Sequence, residues 1–206
     1  MYPWKQMIED VKADFQKYVD LFRPAPPDHP ANAVRVLLAS RGFFVVGGYR
    51  LRFWVRDVCE RSGSSLLKCL LKALNHVVNA YSLFVMKTWI MGWPIVGPGL
   101  YLSNKGAIII GATRIGAGCV IQDTVTIGMN RKGVRPEIGD NVWIGPDTVV
   151  YGPKIGNGVL IEGGTVLSKS VPDRCIVAGK PGRIKRRDVD DVRSSLDPTL
   201  RSEGED

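Results

Sequence analysis

Histidine is scarce in this chain: only His29 and His76 occur among its 206 residues. We expect His29 to be a solvated residue of a proline-rich turn, and His76 to pack within an apolar helix against a backbone partner. A zinc site that needs three histidine ligands is therefore excluded. We predict that the protein uses no metal.

Cysteine and long apolar runs are also sparse. The four cysteines form no CxxC pair and no dense framework, which favours neither a zinc site nor a disulfide scaffold. We expect small buried thiols in a reducing compartment. No run of about 18 apolar residues occurs, because Lys68, Lys72 and Lys87 interrupt the most hydrophobic stretch. With no apolar signal core in its first residues, the chain is expected to be cytoplasmic and not to span a membrane.

Glycine and positive charge are abundant by contrast. The chain has 23 glycines, and 28 basic against 20 acidic residues give a net charge of +8. Its share of hydrophobic residues, 45%, is that of a soluble globular protein. The charge favours an anionic partner such as acidic lipid or a phosphorylated cofactor. No recognition motif accompanies it, so we expect no nucleic-acid partner.

The first part of the chain has helical apolar spacing. It predicts an amphipathic helix from Trp4 to Phe22, a break over the proline-rich residues 24–30, and a short helix from Asn32 to Ser40. A mixed apolar and basic segment spans 43–58, and a further helical pattern runs from Leu66 to Tyr81.

Arginine and lysine alternate with apolar residues between Arg50 and Lys72. A basic amphipathic segment of this type can lie on anionic lipid. Alternatively, its apolar side packs against the rest of the protein or another subunit, and the charges form its wet face. We favour packing, and a peripheral membrane contact stays open.

The second part has a different period. An aliphatic residue recurs every six positions, with one interruption at 129–137 and one shortened step. These positions are Ile109, Ile115, Ile121, Ile127, Ile138, Ile144, Val150, Ile155, Ile161 and Leu167. A period of six fits short flat strands that turn at glycine-containing corners and wind into a solenoid. Three such faces make a triangular prism with strands about 4.8 Å apart.

This pattern resembles the hexapeptide-repeat acyltransferases with a left-handed parallel β-helix, and within them the serine acetyltransferase group with its shorter relatives in polysaccharide modification. The resemblance covers residues 95–187. It is carried by the segments 98–102, 108–111, 125–128, 136–145 and 171–183, and by 37–43 and 49–51 in the helical part. It implies a mainly β fold with a helical N-terminal domain over 1–94 and the β-helix domain over 95–187. The polar residues 188–206, mixed in charge, are predicted to form a disordered tail.

The resemblance also implies acetyl-CoA as donor, a serine or sugar hydroxyl as acceptor, and a role in cysteine biosynthesis or polysaccharide modification. It implies a homotrimer, or a dimer of trimers, with active sites between neighbouring prisms. Pro146 and Gly163 match positions that contact the pantetheine arm of CoA, although Pro146 has no N–H to donate. Lys180 and Arg183 are expected to hold the CoA phosphates.

Two histidines normally mark the family's active site, and here Asn104 and Arg135 stand in their places, with Ser103 where an acidic residue usually precedes the first. Neither Asn104 nor Arg135 can accept a proton. Asp123, about one coil from Asn104, is the first candidate for a substitute base, ahead of Glu137 and Asp140. The sequence therefore leaves two functions open: an O-acetyltransferase with a relocated base, or an inactive relative with a binding, assembly or regulatory role.

Overall fold

The structure is a computed structural model, and it describes residues 3–21, 40–84, 87–91, 94–103, 106–152 and 154–189. The described residues contain three helices followed by fifteen strands. The helices are α1 (Trp4–Leu21), α2 (Arg41–Arg61) and α3 (Ser65–Phe84). The strands are β1 (Thr88–Ile90), β2 (Ile95–Val96), β3 (Tyr101–Leu102), β4 (Ile108–Ile110), β5 (Arg114–Ile115), β6 (Val120–Ile121), β7 (Thr126–Gly128), β8 (Glu137–Ile138), β9 (Trp143–Ile144), β10 (Val149–Tyr151), β11 (Lys154–Ile155), β12 (Leu160–Ile161), β13 (Val166–Leu167), β14 (Ile176–Ala178) and β15 (Arg183–Arg186).

The predicted amphipathic helices at both ends of the helical part are present. Helix α1 ends at Leu21, and α3 extends three residues beyond the predicted Tyr81. The mixed segment 43–58 lies within α2. His29, and all but the last residue of the short helix predicted over 32–40, lie outside the described residues, as does the predicted tail from residue 190 onward.

The strands wind into a solenoid with three faces, and each face is a sheet of parallel strands. Face 1 contains β1-β4-β7-β10-β13, face 2 contains β2-β5-β8-β11, and face 3 contains β3-β6-β9-β12-β14 with the antiparallel β15 at its end. From β1 to β10, each strand pairs with the strand three places later in the chain, so one coil consists of one strand from each face, whereas β12 pairs with β14 at the end of the solenoid. This arrangement matches the triangular prism that the six-residue period predicts.

Stacked aliphatic side chains fill the prism. Nine of the ten periodic positions are buried, with at most 2% of each side chain exposed. Ile109 is the exception and corrects the prediction, because Ile110 is the residue that stacks on Ile127 in the next coil. Ile109 is half-buried and faces outward between Ile108 and Ile110. The reason is local: the corner before Ile115 is one residue shorter than the six-residue step assumes.

A buried polar cluster holds the helices against the first coil. The guanidinium of Arg50 on α2 donates to both carboxylate oxygens of Asp14 on α1, at 3.0 and 3.2 Å, and to the carbonyls of Val96 and Gly97. Asp14 also accepts the backbone N–H of Leu100 at 2.9 Å. Burial raises the pKa of Asp14, and the hydrogen bond and charge of Arg50 oppose that rise.

The cysteines are all free, and they divide into two groups. Cys119 and Cys175 are buried inside the solenoid, as expected, whereas Cys69 is exposed on α3 and Cys59 is half-buried on α2. Burial raises the pKa of the Cys119 thiol to about 11, so it stays protonated and unreactive.

Candidate functional site

Most of the residues singled out in the sequence lie along one corner of the prism, where the chain turns from face 3 back to face 1. We call this the 3/1 corner; in four successive coils it contains Ser103, Asp123, Pro146 and Gly163, and Lys180 continues the same edge where the chain reverses from β14 into β15. Backbone hydrogen bonds tie the layers together: Asp147 donates to the carbonyl of Asp123 at 3.0 Å, and Gly164 donates to that of Pro146 at 2.7 Å. Residues scattered over 78 positions of sequence thus form one ladder.

Asp123 lies in the second layer of this corner, directly next to the first. The N–H of Ser103 donates to the carbonyl of Ile121 at 3.0 Å, and Gly106 lies so close to Asp123 that an added Cβ would come within 3.0 Å of the Asp123 Cβ. Asn104 itself lies outside the described residues, but described residues on both sides of it stack on the layer of Asp123. The expected proximity of Asp123 to this segment is therefore supported by its flanks.

Tyr101 is a neighbour of Asp123 that the sequence analysis did not single out. Burial and then the negative charge of Asp123 raise the pKa of the Tyr101 phenol, while a hydrogen bond with Ser103 lowers it. Tyr101 is packed by α1, since its ring centroid lies 4.6 Å from that of Tyr18. The Tyr18 hydroxyl donates to the carbonyl of Leu102 and accepts its N–H, both at 2.9 Å. The sequence spacing could have identified Tyr101, because a residue two positions before Ser103 in an extended segment points to the same side of the chain.

The layers of the 3/1 corner that follow Asp123 in the chain are compact. A Cβ at Gly163 would lie 3.2 to 3.3 Å from the ring and carbonyl of Pro146, so this position favours glycine. The side chain of Lys180 passes Gly164, with its Cε 3.9 Å from where a Cβ would be. Arg183 begins β15, opposite Ala178. Pro146, Gly163, Lys180 and Arg183 are all exposed, so this edge is accessible to a ligand.

Arg135 lies elsewhere, in the extended loop of residues 129–136 that leaves the corner between faces 1 and 2. Asn130 organises this loop, since its side-chain oxygen accepts the N–H groups of Lys132 and Val134 at 2.9 and 3.0 Å. Gly152 supports the loop from the next coil: its φ is +61°, and a Cβ there would meet the Asn130 Cβ at 2.7 Å. The loop borders an open groove of about 610 Å³, which is lined by Met129, Asn130, Arg131, Lys132, Tyr151 and Ser168.

The described neighbours of Asn104 and the loop that carries Arg135 therefore lie apart in one chain. The segment around Asn104 belongs to the 3/1 corner, whereas Arg135 is exposed in a loop at the opposite edge of face 1. Strand β7 spans that face between Asp123 and the loop.

The other two carboxylates are not at the 3/1 corner. Asp140 lies at the corner between faces 2 and 3, where its carboxylate accepts the N–H of Ala117 at 2.8 Å, so it is a backbone-bonded corner residue. Glu137 is exposed on β8. His76 is exposed on α3 rather than packed, which corrects that expectation. Within the described part of the chain, no three His, Cys, Asp or Glu side chains are grouped to hold a metal.

Solved structures of similar shape are serine acetyltransferases. The enzyme of Brucella abortus strain S19 has a TM-score of 0.72 and 24% identity over 89% of this chain and 70% of its own. The enzyme of Neisseria gonorrhoeae in complex with serine has a TM-score of 0.67 and 24% identity, over 87% and 69%. A serine acetyltransferase in complex with CoA has a TM-score of 0.66 and 20% identity, over 88% and 70%.

The chain has the fold of the serine acetyltransferases. Its predicted fold class, a helical N-terminal part followed by a left-handed parallel β-helix of hexapeptide repeats, is confirmed. No protein-family model and no curated protein matches the sequence. Identities of this size establish the fold, and activity must be argued from the site.

Proposed function

We propose that this protein is an acetyl-CoA-dependent O-acetyltransferase that acts on a hydroxyl of serine or of a sugar, with Asp123 as its general base. The observation that carries the proposal is the 3/1 corner. There Asp123 adjoins the segment that bears the first family histidine position, and the small residues and Lys180 continue from it along one accessible edge.

Asp123 is the residue best placed to take the acceptor's proton. It is half-buried and its negative charge acts on Tyr101, whereas the carboxylates of the next two layers of this corner, Asp147 and Glu162, are exposed. As its carboxylate removes the hydroxyl proton, the oxygen attacks the thioester carbonyl of acetyl-CoA. The thioester C–S bond then breaks, the CoA sulfur leaves and is protonated, and an ester is formed. Asn104 and Arg135 would orient the acceptor or stabilise the oxyanion.

The donor is proposed to lie along the layers of the 3/1 corner that follow Asp123. Gly163 lets the ligand approach the backbone closely, and Lys180 and Arg183 offer charge to the CoA phosphates. Pro146 offers no backbone hydrogen bond to the ligand, because proline has no N–H. The similar enzyme in complex with CoA supports a CoA-derived donor.

The assembly is proposed to be a homotrimer built through face 1. Its outward column consists of Trp89, Ile109, Thr126, Val149 and Val166, none of them charged. The outward column of face 2 is instead largely charged, with Arg114, Glu137 and Lys154 in register. Packing face 1 of one chain near the loop of the next would bring Asp123 and Arg135 of different chains together. Pairing of two trimers, and a cytoplasmic location, stay predictions.

The second candidate is an inactive relative with a binding, assembly or regulatory role. It is favoured by the exposed Arg135, since a guanidinium stays protonated and cannot act as a base. The two hypotheses share the fold, because the repeats are needed for folding in either case.

Release of CoA thiol from acetyl-CoA, with a panel of serine and sugar acceptors, separates them. We expect turnover by the wild type with at least one acceptor, and a loss of at least about tenfold in Asp123→Asn. Asp140→Asn is the matched control and should keep its rate if it folds normally. If the wild type is inactive and the variant Asn104→His/Arg135→His gains serine-dependent acetyl transfer, the protein is instead a decayed enzyme.

Donor binding is measured separately by the shift in melting temperature with CoA, which requires no turnover. We expect a shift that is weaker in Lys180→Ala/Arg183→Ala. A CoA shift without activity, in both the wild type and the double histidine variant, would favour the inactive relative. Wild-type activity that survives Asp123→Asn would contradict the assignment of the base.

A further inference from the structure

The two sides of helix α3 differ in what they contact. Its apolar outer side is exposed, as Leu66, Leu70 and Val77 show, so the sequence expectation that it packs within the chain is not met by the described residues. None of the described helices is long and apolar enough to cross a bilayer. The inner side of α3 faces α2 and strand β1, and a cavity of about 140 Å³ lies between these three elements.

Each of the two helices lines the cavity with one side. The lining residues recur at steps of three and four positions, which places them on one side of a helix. They include Val45, Tyr49 and Arg52 of α2, and Val78, Asn79 and Ser82 of α3. Strand β1, Thr88–Ile90, contributes the third part of the wall. No described lining residue belongs to the 3/1 corner or to the loop of residues 129–136, so this cavity is separate from the proposed acetyl-transfer site.

Arg52 brings a positive charge to the cavity, and none of the described lining residues is acidic. Its guanidinium carbon lies 5.7 Å from the centroid of the Tyr49 ring, and its Nη1 donates to the side-chain oxygen of Asn79 at 2.9 Å. A guanidinium has five N–H groups, so Arg52 can hold Asn79 and bind a carboxylate as well. Burial lowers the pKa of Arg52, because it withdraws water from the charge. A bound anion would compensate for that water.

The rest of the wall is largely apolar. Val45 and Ile90 are buried, and Val78 and the indole of Trp89 also line the cavity. Inorganic phosphate would place oxygens that need hydrogen bonds against these side chains, which is costly. A carboxylate on a short hydrocarbon chain fits both parts, because its charged end pairs with a guanidinium and its chain is removed from water. A cavity of about 150 Å³ holds a molecule of about six non-hydrogen atoms, so the chain is short.

We propose that this cavity binds a small aliphatic monocarboxylate, with its carboxylate on Arg52 and its hydrocarbon chain against Val45, Val78 and Ile90. The ligand is neither the donor nor the acceptor of the proposed acetyl transfer, and the proposal does not depend on that reaction. Because the cavity joins both helices to the first strand of the solenoid, an occupied cavity should also raise the melting temperature of the chain.

Isothermal titration calorimetry of the full chain with sodium butyrate tests the proposal. Butyrate has the expected size, and butyramide is a matched neutral ligand of the same shape. We expect a dissociation constant on the order of 1 mM for butyrate, in keeping with so small a ligand. Butyramide lacks the charge that pairs with Arg52 and should bind at least about tenfold more weakly. Inorganic phosphate lacks the hydrocarbon chain and should also bind at least about tenfold more weakly.

Arg52→Gln and Arg56→Gln form a matched pair of variants. Both arginines lie on α2 over an aromatic ring, Arg56 at 5.5 Å from the centroid of Phe53, but only Arg52 lines the cavity. Arg52→Gln should weaken butyrate binding by at least about tenfold, and Arg56→Gln should bind like the wild type. Circular dichroism and melting temperature verify that each variant folds.

The fluorescence of Trp89 reports where the ligand binds, because its indole lines the cavity. Butyrate should change the tryptophan fluorescence of the wild type. This change should be absent in Trp89→Phe and retained in Trp143→Phe, since Trp143 lies on face 3 of the solenoid.

Four results would overturn the proposal. Equal binding of butyrate and butyramide by the wild type would exclude the carboxylate contact, and this comparison does not depend on the folding of any variant. Phosphate that binds as tightly as butyrate would exclude the role of the apolar wall. Butyrate binding that is unchanged in Arg52→Gln would place the ligand elsewhere. No binding of butyrate at about ten times the expected dissociation constant would leave the cavity without this ligand.

Discussion

Single buried polar side chains join the two parts of this molecule. Arg50 contacts the carbonyls of Val96 and Gly97 in the first coil, while Asp14 neutralises it and accepts an N–H of the same coil. Breaking such a buried pair leaves one charge without compensation, which costs more than the pair contributes over an apolar replacement.

We therefore expect Asp14→Ala to lower the free energy of unfolding by about 3 kcal/mol, the low end for a broken buried pair, because Asp10 remains 3.5 Å from Arg50. Glu9→Ala removes an exposed carboxylate from the same helix and should change the free energy by no more than about 0.5 kcal/mol. Denaturant unfolding followed by circular dichroism measures both. Equal effects would show that the Asp14–Arg50 pair does not hold the helices to the solenoid.

At the site, the sequence could predict which residue types occupy the family positions, and that Asp123 follows Asn104 by about one coil. It could not show that Tyr101 shares the local electrostatics of Asp123, because that depends on the packing of Tyr101 against Tyr18 of α1. It ranked Asp123 ahead of Asp140 because of that spacing, but it could not show that the two carboxylates lie at different corners. Both follow the same period, and only the register places them at different corners.

Among the secondary-structure elements, the short strands were the most predictable. Their inward side chains must be aliphatic to fill the prism, so the period is visible in the sequence. The shortened corner before Ile115 cannot be read from the sequence, because residues 108, 109 and 110 are all isoleucine and any of them could face inward. The sequence analysis therefore assigned Ile109 instead of Ile110 to the core. For α3, periodicity identifies an apolar side but not what covers it, since a helix with the same pattern can pack inward or bind an external partner.

Coil-to-coil spacing provides a test at the scale of the elements. A Cβ at Gly116 would lie 2.5 Å from the carbonyl of Gly139 in the next coil, and the hydrogen bond from Gly116 to Ile138, 2.9 Å long, prevents the coils from separating. We expect Gly116→Ala to lower the free energy of unfolding by about 2 kcal/mol.

Gly47 of α2 is the matched control, because no described atom lies within 4 Å of an added Cβ and alanine favours a helix. Gly47→Ala should leave stability unchanged or raise it by up to about 1 kcal/mol. Thermal unfolding in parallel compares the two. If Gly116→Ala were as stable as the wild type, the coils would be more loosely stacked than the structure shows.

For the whole molecule, the central question is whether face 1 meets a second chain. Face 1 separates the 3/1 corner, with Asp123, from the loop that carries Arg135. Under the proposed function, a single chain thus presents two half-sites at its edges. Its uncharged outward column differs from the charged column of face 2. A cyclic trimer through face 1 would complete each site with the loop of a neighbour and would cover the aromatic and β-branched surface.

Val149 in the middle of the face 1 column tests this assembly. Light scattering of the wild type should give about three times the 22.7 kDa of one chain. Val149→Arg places a charge in the proposed interface and should reduce the mass to that of a monomer, because a buried unpaired charge is costly. It should also remove the CoA-induced rise in melting temperature, whereas Ile95→Arg on face 2 should retain both trimer and shift. A trimer that survives Val149→Arg, or a monomeric wild type, would rule out face 1 as the interface and would leave Arg135 without a route to Asp123.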